Sequence, residues 1–293
     1  MSTIEIKNVS KCYGKTVALK NVSVLIPDGK ICGFLGRNGA GKTTLLNIVT
    51  NRIFADQGEV WIDGEPAREN DHAQSKIYYV TEKTLYPSDT KVRDAFAITR
   101  SFYPTFDPGV AADLSARFKL ETGKKVGALS TGYQSIFKLV MALASNAPVL
   151  IFDEPVLGLD ANHRDLFYRE LLCQYNAAPR TVILSTHLIQ EAARLLEEVI
   201  IIDAGEVLLT QPVEDILQLA YTVSGSQESV DRYASGKKVI REETLGRYKA
   251  ATIFQQRTSA DQAAMAQLGL DLAPAQLQEL FISLTNGTTG VPK

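Results

Sequence analysis

Eight consecutive residues, Gly36-Arg37-Asn38-Gly39-Ala40-Gly41-Lys42-Thr43, follow the pattern G-x-x-x-x-G-K-[ST]. Glycines at this spacing let backbone N–H groups turn inward around a phosphate chain. A lysine supplies a point charge, and a helix starting at the loop adds its dipole. The Thr43 hydroxyl then reaches a magnesium ion, with Thr44 beside it in the candidate phosphate-binding set. A second element, Val149-Leu150-Ile151-Phe152-Asp153-Glu154, delivers two carboxylates at the end of an apolar run. Asp153 can hold the magnesium shell, and Glu154 can polarise or deprotonate a water attacking a γ-phosphate. Between these elements lies Leu129-Ser130-Thr131-Gly132-Tyr133-Gln134. Residue types alone leave it as a helix cap and turn, just as Asp-Glu after an apolar run is a common strand end.

Phosphate-loop chemistry requires a strand delivering the first glycine and a helix beginning at the lysine. Residues 31–35 form a buried-strand pattern and residues 43–49 have helical character. Upstream, Ile4, Ile6 and Val9, then Val22, Val24 and Ile26, alternate as strands separated by turn chemistry at Tyr13-Gly14-Lys15. Residues 59–62 and 77–80 add strands, whereas 92–102, 108–118 and 133–144 carry helical spacing, a helical insert at about 83–145. From residue 149 a β-α alternation follows: strands 149–152, 182–185 and 199–202, helices 162–175 and 189–196. Repeated β-α-β predicts an α/β fold with a mainly parallel sheet covered by helices. A helix over 212–219 closes this part, and the polar, glycine-containing stretch 223–229 reads as a linker. The expected domains are therefore 1–219 and 220–293, the second a small α+β unit. Its strands are expected at 239–241 and 250–254 and its helices at 259–268 and 274–284.

The chain has 293 residues, 45% hydrophobic and 22% charged, which excludes disordered, collagenous and disulfide-scaffold classes. A formal net charge of −2 without a lysine or arginine block leaves no footprint for nucleic acid, so no nucleic-acid partner is expected. The longest apolar run, residues 139–144, is far shorter than the roughly 18 residues of a membrane helix. The N-terminal residues lack a signal-peptide pattern, and Cys12, Cys32 and Cys173 are scattered, both of which point to the reduced cytoplasm.

Set between the phosphate loop and Asp153-Glu154, residues 129–134 resemble the Leu-Ser-Gly-Gly-Gln signature of the ABC ATPases. The resemblance covers about residues 3–217. It implies that Ser130 and Gly132 contact the γ-phosphate of ATP held by the opposite subunit. It further places Tyr13 on the adenine, Gly158-Leu159-Asp160 in a dimer-contact loop, and His187 at the γ-phosphate, orienting the catalytic water. Glu82 stands where most members have a magnesium-touching glutamine, as in members resembling drug-exporting ABC-2 systems. Two further departures are Thr131 for glycine and Tyr133 for glutamine. The implied catalytic set is Lys42, Glu82, Glu154 and His187, the implied metal set Thr43, Glu82 and Asp153, and the cofactors ATP and Mg2+.

On this resemblance the chain is expected to be the ATPase subunit of a bacterial ABC-2-type exporter, Ytr-like in layout. It would sit peripherally on the cytoplasmic face of the membrane. Its partners would be a separate integral membrane permease and a second ABC ATPase, identical or related, paired head to tail. Two other readings are an ATP-binding regulator or scaffold with a degenerate site and a soluble, non-transport ABC ATPase. A P-loop kinase would explain Lys42 and Asp153 but neither Ser130 nor His187.

Overall fold

A computed structural model of the chain describes residues 2–285. Strands β1 (Ile4–Tyr13) and β2 (Thr16–Ile26) form a hairpin that turns at Gly14, φ 59°. Their antiparallel register pairs Ile4 with Ile26, Ile6 with Val24 and Val9 with Val22, so the expected alternation lands on one buried face. β3 (Ile31–Leu35) is buried throughout and leads through the glycine-rich loop into α1 (Lys42–Val49). β4 (Gln57–Ile62) and β5 (Glu65–Pro66) complete a four-stranded sheet ordered β2-β1-β4-β5. After α2 (Asp71–Gln74) comes β6 (Ile77–Val80).

The expected helical insert follows as α3 (Val92–Phe102), α4 (Pro108–Arg117) and α5 (Thr131–Ser145). Asp107 caps α4 by accepting from the N–H groups of Gly109 and Val110, with Pro108 in the first turn where its missing N–H costs nothing. Both α3 and α4 pack on α5, whose Ile136, Phe137, Val140 and Met141 are buried.

β7 (Val149–Asp153), α6 (Ala161–Ala177), β8 (Thr181–Ser185), α7 (Ile189–Ala192), β9 (Glu198–Asp203) and β10 (Glu206–Pro212) then build the larger sheet. Its order is β10-β9-β3-β8-β7-β6. The β3, β8, β7 and β6 pairings are parallel, with Phe34 opposite Ser185, Ser185 opposite Asp153, and Phe152 opposite Val80. This register brings the phosphate loop, Asp153-Glu154, Thr186-His187 and Thr81-Glu82 to one edge of the sheet, the edge where open α/β sheets bind ligands.

Residues up to 187, with 202–207, form one compact unit, and residues 188–201, with the chain from 208 onward, form a second. The second contains α8 (Val213–Gln218), β11 (Tyr221–Ser226), α9 (Gln227–Ala234), β12 (Val239–Leu245), β13 (Tyr248–Ile253), α10 (Ser259–Leu268), β14 (Asp271–Pro274) and α11 (Leu277–Thr285). The antiparallel order β12-β13-β11-β14 is the split β-α-β-β-α-β arrangement. Tyr221, Val223, Val230, Tyr233, Ala251, Ile253 and Met265 form its core.

Three local expectations are corrected in this unit. Residues 223–229 are no linker: they finish the central strand β11 and start α9, which Ser226 caps by accepting from the Ser229 N–H. Their polarity comes from the other face of the sheet, where Thr222 pairs with Thr252 at 2.9 Å. The helix expected over 189–196 stops at Ala192, because the Leu195 N–H bonds the Ala192 carbonyl in a tighter turn. Residue 274 ends β14, paired with Tyr221, so the last helix begins only at Leu277.

Candidate functional site

The phosphate loop depends on glycine where the chain comes closest to its neighbours. Gly41 caps α1 at φ 107°, and a β-carbon there would lie 2.7 Å from the Ala18 carbonyl oxygen. One on Gly36 would lie 2.5 Å from the Ile202 carbonyl oxygen. Arg37, Asn38 and Gly39 are exposed and Ala40 is buried. Lys42 is buried, and its Nζ spans the loop to donate to the carbonyls of Gly36 (2.7 Å) and Arg37 (3.4 Å). Burial lowers the pKa of its ammonium group, and the charges of Glu154 and Asp153 oppose that shift.

Thr43 Oγ1 donates to Asp153 Oδ2 at 2.7 Å, joining the start of α1 to the end of β7. Asp153 Oδ1 is buried and has no hydrogen-bond partner. A hydroxyl and a carboxylate with a spare oxygen are hard donors suited to magnesium, which keeps several waters and substrate phosphates and needs few protein ligands. Glu154 follows in the left-handed region, φ 50°, its N–H bonded to the Ser185 carbonyl at 2.9 Å. This backbone turns its carboxylate toward β8, where Oε2 lies 2.8 Å from His187 Nδ1. Left-handed backbone at a non-glycine residue costs of order 1–3 kcal/mol and clusters at functional sites. Thr43, Glu82, Asp153 and Glu154 line one cavity of about 450 Å³.

Ser130 caps α5, its Oγ accepting from the Tyr133 N–H at 3.4 Å. Gly132 packs against the other expected interface segment: a β-carbon on it would sit 3.2 Å from the Gly158 carbonyl oxygen. Leu159 is buried and Asp160 caps α6. Within the chain, Ser130, Gly132, Gly158, Leu159 and Asp160 thus form a second cluster, of which Gly158 also lines the cavity of Thr43, Glu82, Asp153 and Glu154. Among the described residues, none of them hydrogen-bonds to the phosphate loop. Tyr13 is half exposed at the end of β1, with Lys11 Nζ 5.8 Å from its ring.

Three side chains that the motifs did not single out complete the picture. The Tyr79 hydroxyl donates to Asp153 Oδ2 at 3.4 Å, and burial, then the Asp153 charge, raises the phenol's pKa. The Arg52 guanidinium lies 4.6 Å from the Tyr79 ring centre. Lys138, two turns into α5, donates to the carbonyls of Thr81 (2.8 Å) and Glu82 (2.6 Å), and burial lowers its pKa against the pull of Glu82. Alternation along 77–80 puts Tyr78 and Tyr79 on opposite faces, but nothing local says which one meets Asp153.

The model of the ABC transporter family matches residues 19–157. The ATP-binding protein YtrB of Bacillus subtilis (strain 168) is 30% identical over 196 residues, 67% of each chain. The Nod factor export ATP-binding protein I of Burkholderia orbicola is 30% identical over 70% of this chain and 69% of its own. NatA, an ABC transporter ATP-binding protein of Bacillus subtilis, is 30% identical over 69% of this chain and 84% of its own. Among solved structures, a dimeric ATP-binding cassette in a post-hydrolysis state with ADP and Pi superposes with a TM-score of 0.63 at 27% identity, covering 72% of this chain and 98% of that one. An ATP-binding subunit of an ABC transporter gives 0.66 at 22% identity, covering 73% and 91%, a likeness of fold. With a phosphate loop, a strand-end carboxylate pair and a strand-end histidine held on one sheet edge, the chain belongs to the ABC transporter ATP-binding proteins, the ATPase subunits that power a transporter.

Proposed function

We propose that the chain drives an ABC-2-type exporter from the cytoplasmic face of the membrane, two copies closing head to tail over ATP. Residues 1–219 would be the cassette and 220–293 an accessory domain. The relatives that include a Nod factor export protein support the export direction, and the dimeric cassette supports the pairing. The convergence of Thr43, at the start of α1, with Asp153, Glu154 and His187, at and just past the ends of β7 and β8, carries the reading.

In this mechanism the loop from Gly36 to Thr43 wraps the phosphates, Lys42 moves from its carbonyl partners to phosphate oxygens, and Tyr13 stacks on the adenine. Thr43, Asp153 and Glu82 would hold Mg2+, which neutralises phosphate charge. Glu154 takes a proton from the attacking water, and His187, bonded to its carboxylate, keeps it aimed. Ser130 and Gly132 of the opposite copy add donors at the γ-phosphate, and Gly158-Leu159-Asp160 meets the other subunit. Closure of the pair completes each site.

The helical insert serves as the permease-docking surface, with the Glu82 loop at its root tied to α5 by Lys138. Exposed Leu85, Ile98 and Phe102 give it apolar anchors. Crosslinking from positions 84–102 to a co-expressed permease checks this; contacts only beyond residue 220 would contradict it. For the chemistry, Lys42→Ala weakens nucleotide binding, whereas Glu154→Gln retains ATP, stops hydrolysis and accumulates a closed dimer. Full turnover in Glu154→Gln would sink the assignment.

A further inference from the structure

Tyr133, which stands where the ABC signature carries glutamine, has an aromatic partner in this chain. Its ring meets the ring of His163 edge to face, with centroids 6.0 Å apart and planes at 67°. The same imidazole stacks on Phe118 of the helical insert at 6.3 Å and 14°. Its Nδ1 lies 2.8 Å from Asp160 Oδ2, and its backbone N–H donates to Asp160 Oδ1 at 2.9 Å. One side chain on the first turn of α6 therefore touches the signature segment, the insert and the dimer-contact loop. The backbones of the two segments also adjoin, at Gly132 and Gly158.

We infer that His163 is a positioning residue that holds the signature segment and the dimer-contact loop as one surface, with Tyr133 as its contact on the signature side. An unsupported tyrosine at this place would be free to swing about its χ1 bond, leaving the signature side of this surface unpinned. Clamped between Phe118 and Tyr133 and bonded to Asp160, the imidazole removes that freedom before a second subunit arrives, which lowers the ordering cost of association. The inference rests on the proposed pairing of two copies, since that is where both segments are presented.

The test uses the full-length Glu154→Gln chain, with ATP-dependent dimerisation followed by analytical ultracentrifugation and ATP affinity by fluorescence of a labelled analogue. His163→Ala is expected to raise the dimer dissociation constant about tenfold while the monomer binds ATP within twofold of the parent. His163→Asn keeps a group able to bond Asp160 but loses both ring contacts, and His163→Phe does the reverse; each should recover part of the loss. Tyr133→Ala combined with His163→Ala should be no worse than His163→Ala alone, because the tyrosine acts through the imidazole. A merely stabilising histidine would lower thermal stability without moving the association constant of the folded monomers. A His163→Ala dimer as tight as the parent's, or fully additive losses at the two positions, overturns the inference. A parent that stays monomeric with ATP overturns the pairing itself, and the inference falls with it.

Discussion

The polar groups at the carboxyl ends of β7 and β8 and those inside the C-terminal sheet are of the same kinds but are paired very differently. At the strand ends, Asp153 Oδ1 and Ser185 Oγ are buried without a hydrogen-bond partner, and Glu154 is held in the left-handed region. In the C-terminal unit, the Tyr221 and Tyr233 hydroxyls bond each other at 3.0 Å, the Tyr233 hydroxyl bonds Asp261, and Asp261 also takes Lys237 Nζ at 2.5 Å and Thr258 Oγ1 at 2.7 Å. Asp261 and Thr258 further close a capping box on α10. An unpaired buried polar atom costs roughly 1–3 kcal/mol. The first region leaves buried oxygens unpaired beside the proposed ligand site, and the second uses the same chemistry to hold a fold.

The sharpest way to test that contrast is to remove charge from each region in turn. Glu154→Gln keeps shape and should lower turnover about 10²–10⁴-fold, the loss of a general base, with thermal stability unchanged or raised. Steady-state phosphate release and a melting curve on the same sample decide it. Ser130→Ala, at the second cluster, should cost about 10²-fold in turnover with the permease present, by loss of one phosphate donor. Thr131→Gly should change the rate by no more than about tenfold.

Asp261→Asn is the mirror experiment. It should destabilise the chain by about 2 kcal/mol, because Lys237, Tyr233 and Thr258 lose a charged partner, and leave ATP turnover within twofold. A matching loss of turnover would break the contrast. Acid provides an independent check. The Lys237 hydrogen bond, with Thr258 next, holds the Asp261 carboxyl well below the ordinary carboxylate range, against the effect of burial. A group whose folded-state pKa is depressed stabilises fully above its unfolded value of about 4 and loses that contribution as the pH falls through the folded value. Urea unfolding at pH 7 and pH 3 should therefore show the gap between parent and Asp261→Asn narrowing in acid.

The smallest expected effect sharpens the comparison from inside the first region. Tyr79→Phe removes a single 3.4 Å hydrogen bond to Asp153, which still accepts from Thr43. Turnover should fall less than tenfold, under about 1.4 kcal/mol, with the change read in the magnesium dependence of the rate. A loss as large as that of Glu154→Gln would make Tyr79 as central as the carboxylates.

Residue types and short spacings were enough for features that the chain makes with its own neighbours. The phosphate loop needs glycine at Gly36 and Gly41, the helix of the signature segment starts at its cap Ser130, and the apolar positions of β1 and β2 land on the buried face of the hairpin, with a register shift between Ile6 and Val9. Such features rest on contacts a few residues apart, so local chemistry decides them. The pairings that assemble the site span much more chain. Thr43 meets Asp153 across 110 positions, Glu154 meets His187 across 33, and Lys138 reaches back 56 to Glu82. The polar run 223–229 misled because a strand whose second face carries Thr222 and Ser224 reads like a linker until β13 and β14 flank it. Only the tertiary structure decided these matters, because a side chain's partner is set by strand register and by the elements packed on it, and neither is written in the residues beside it.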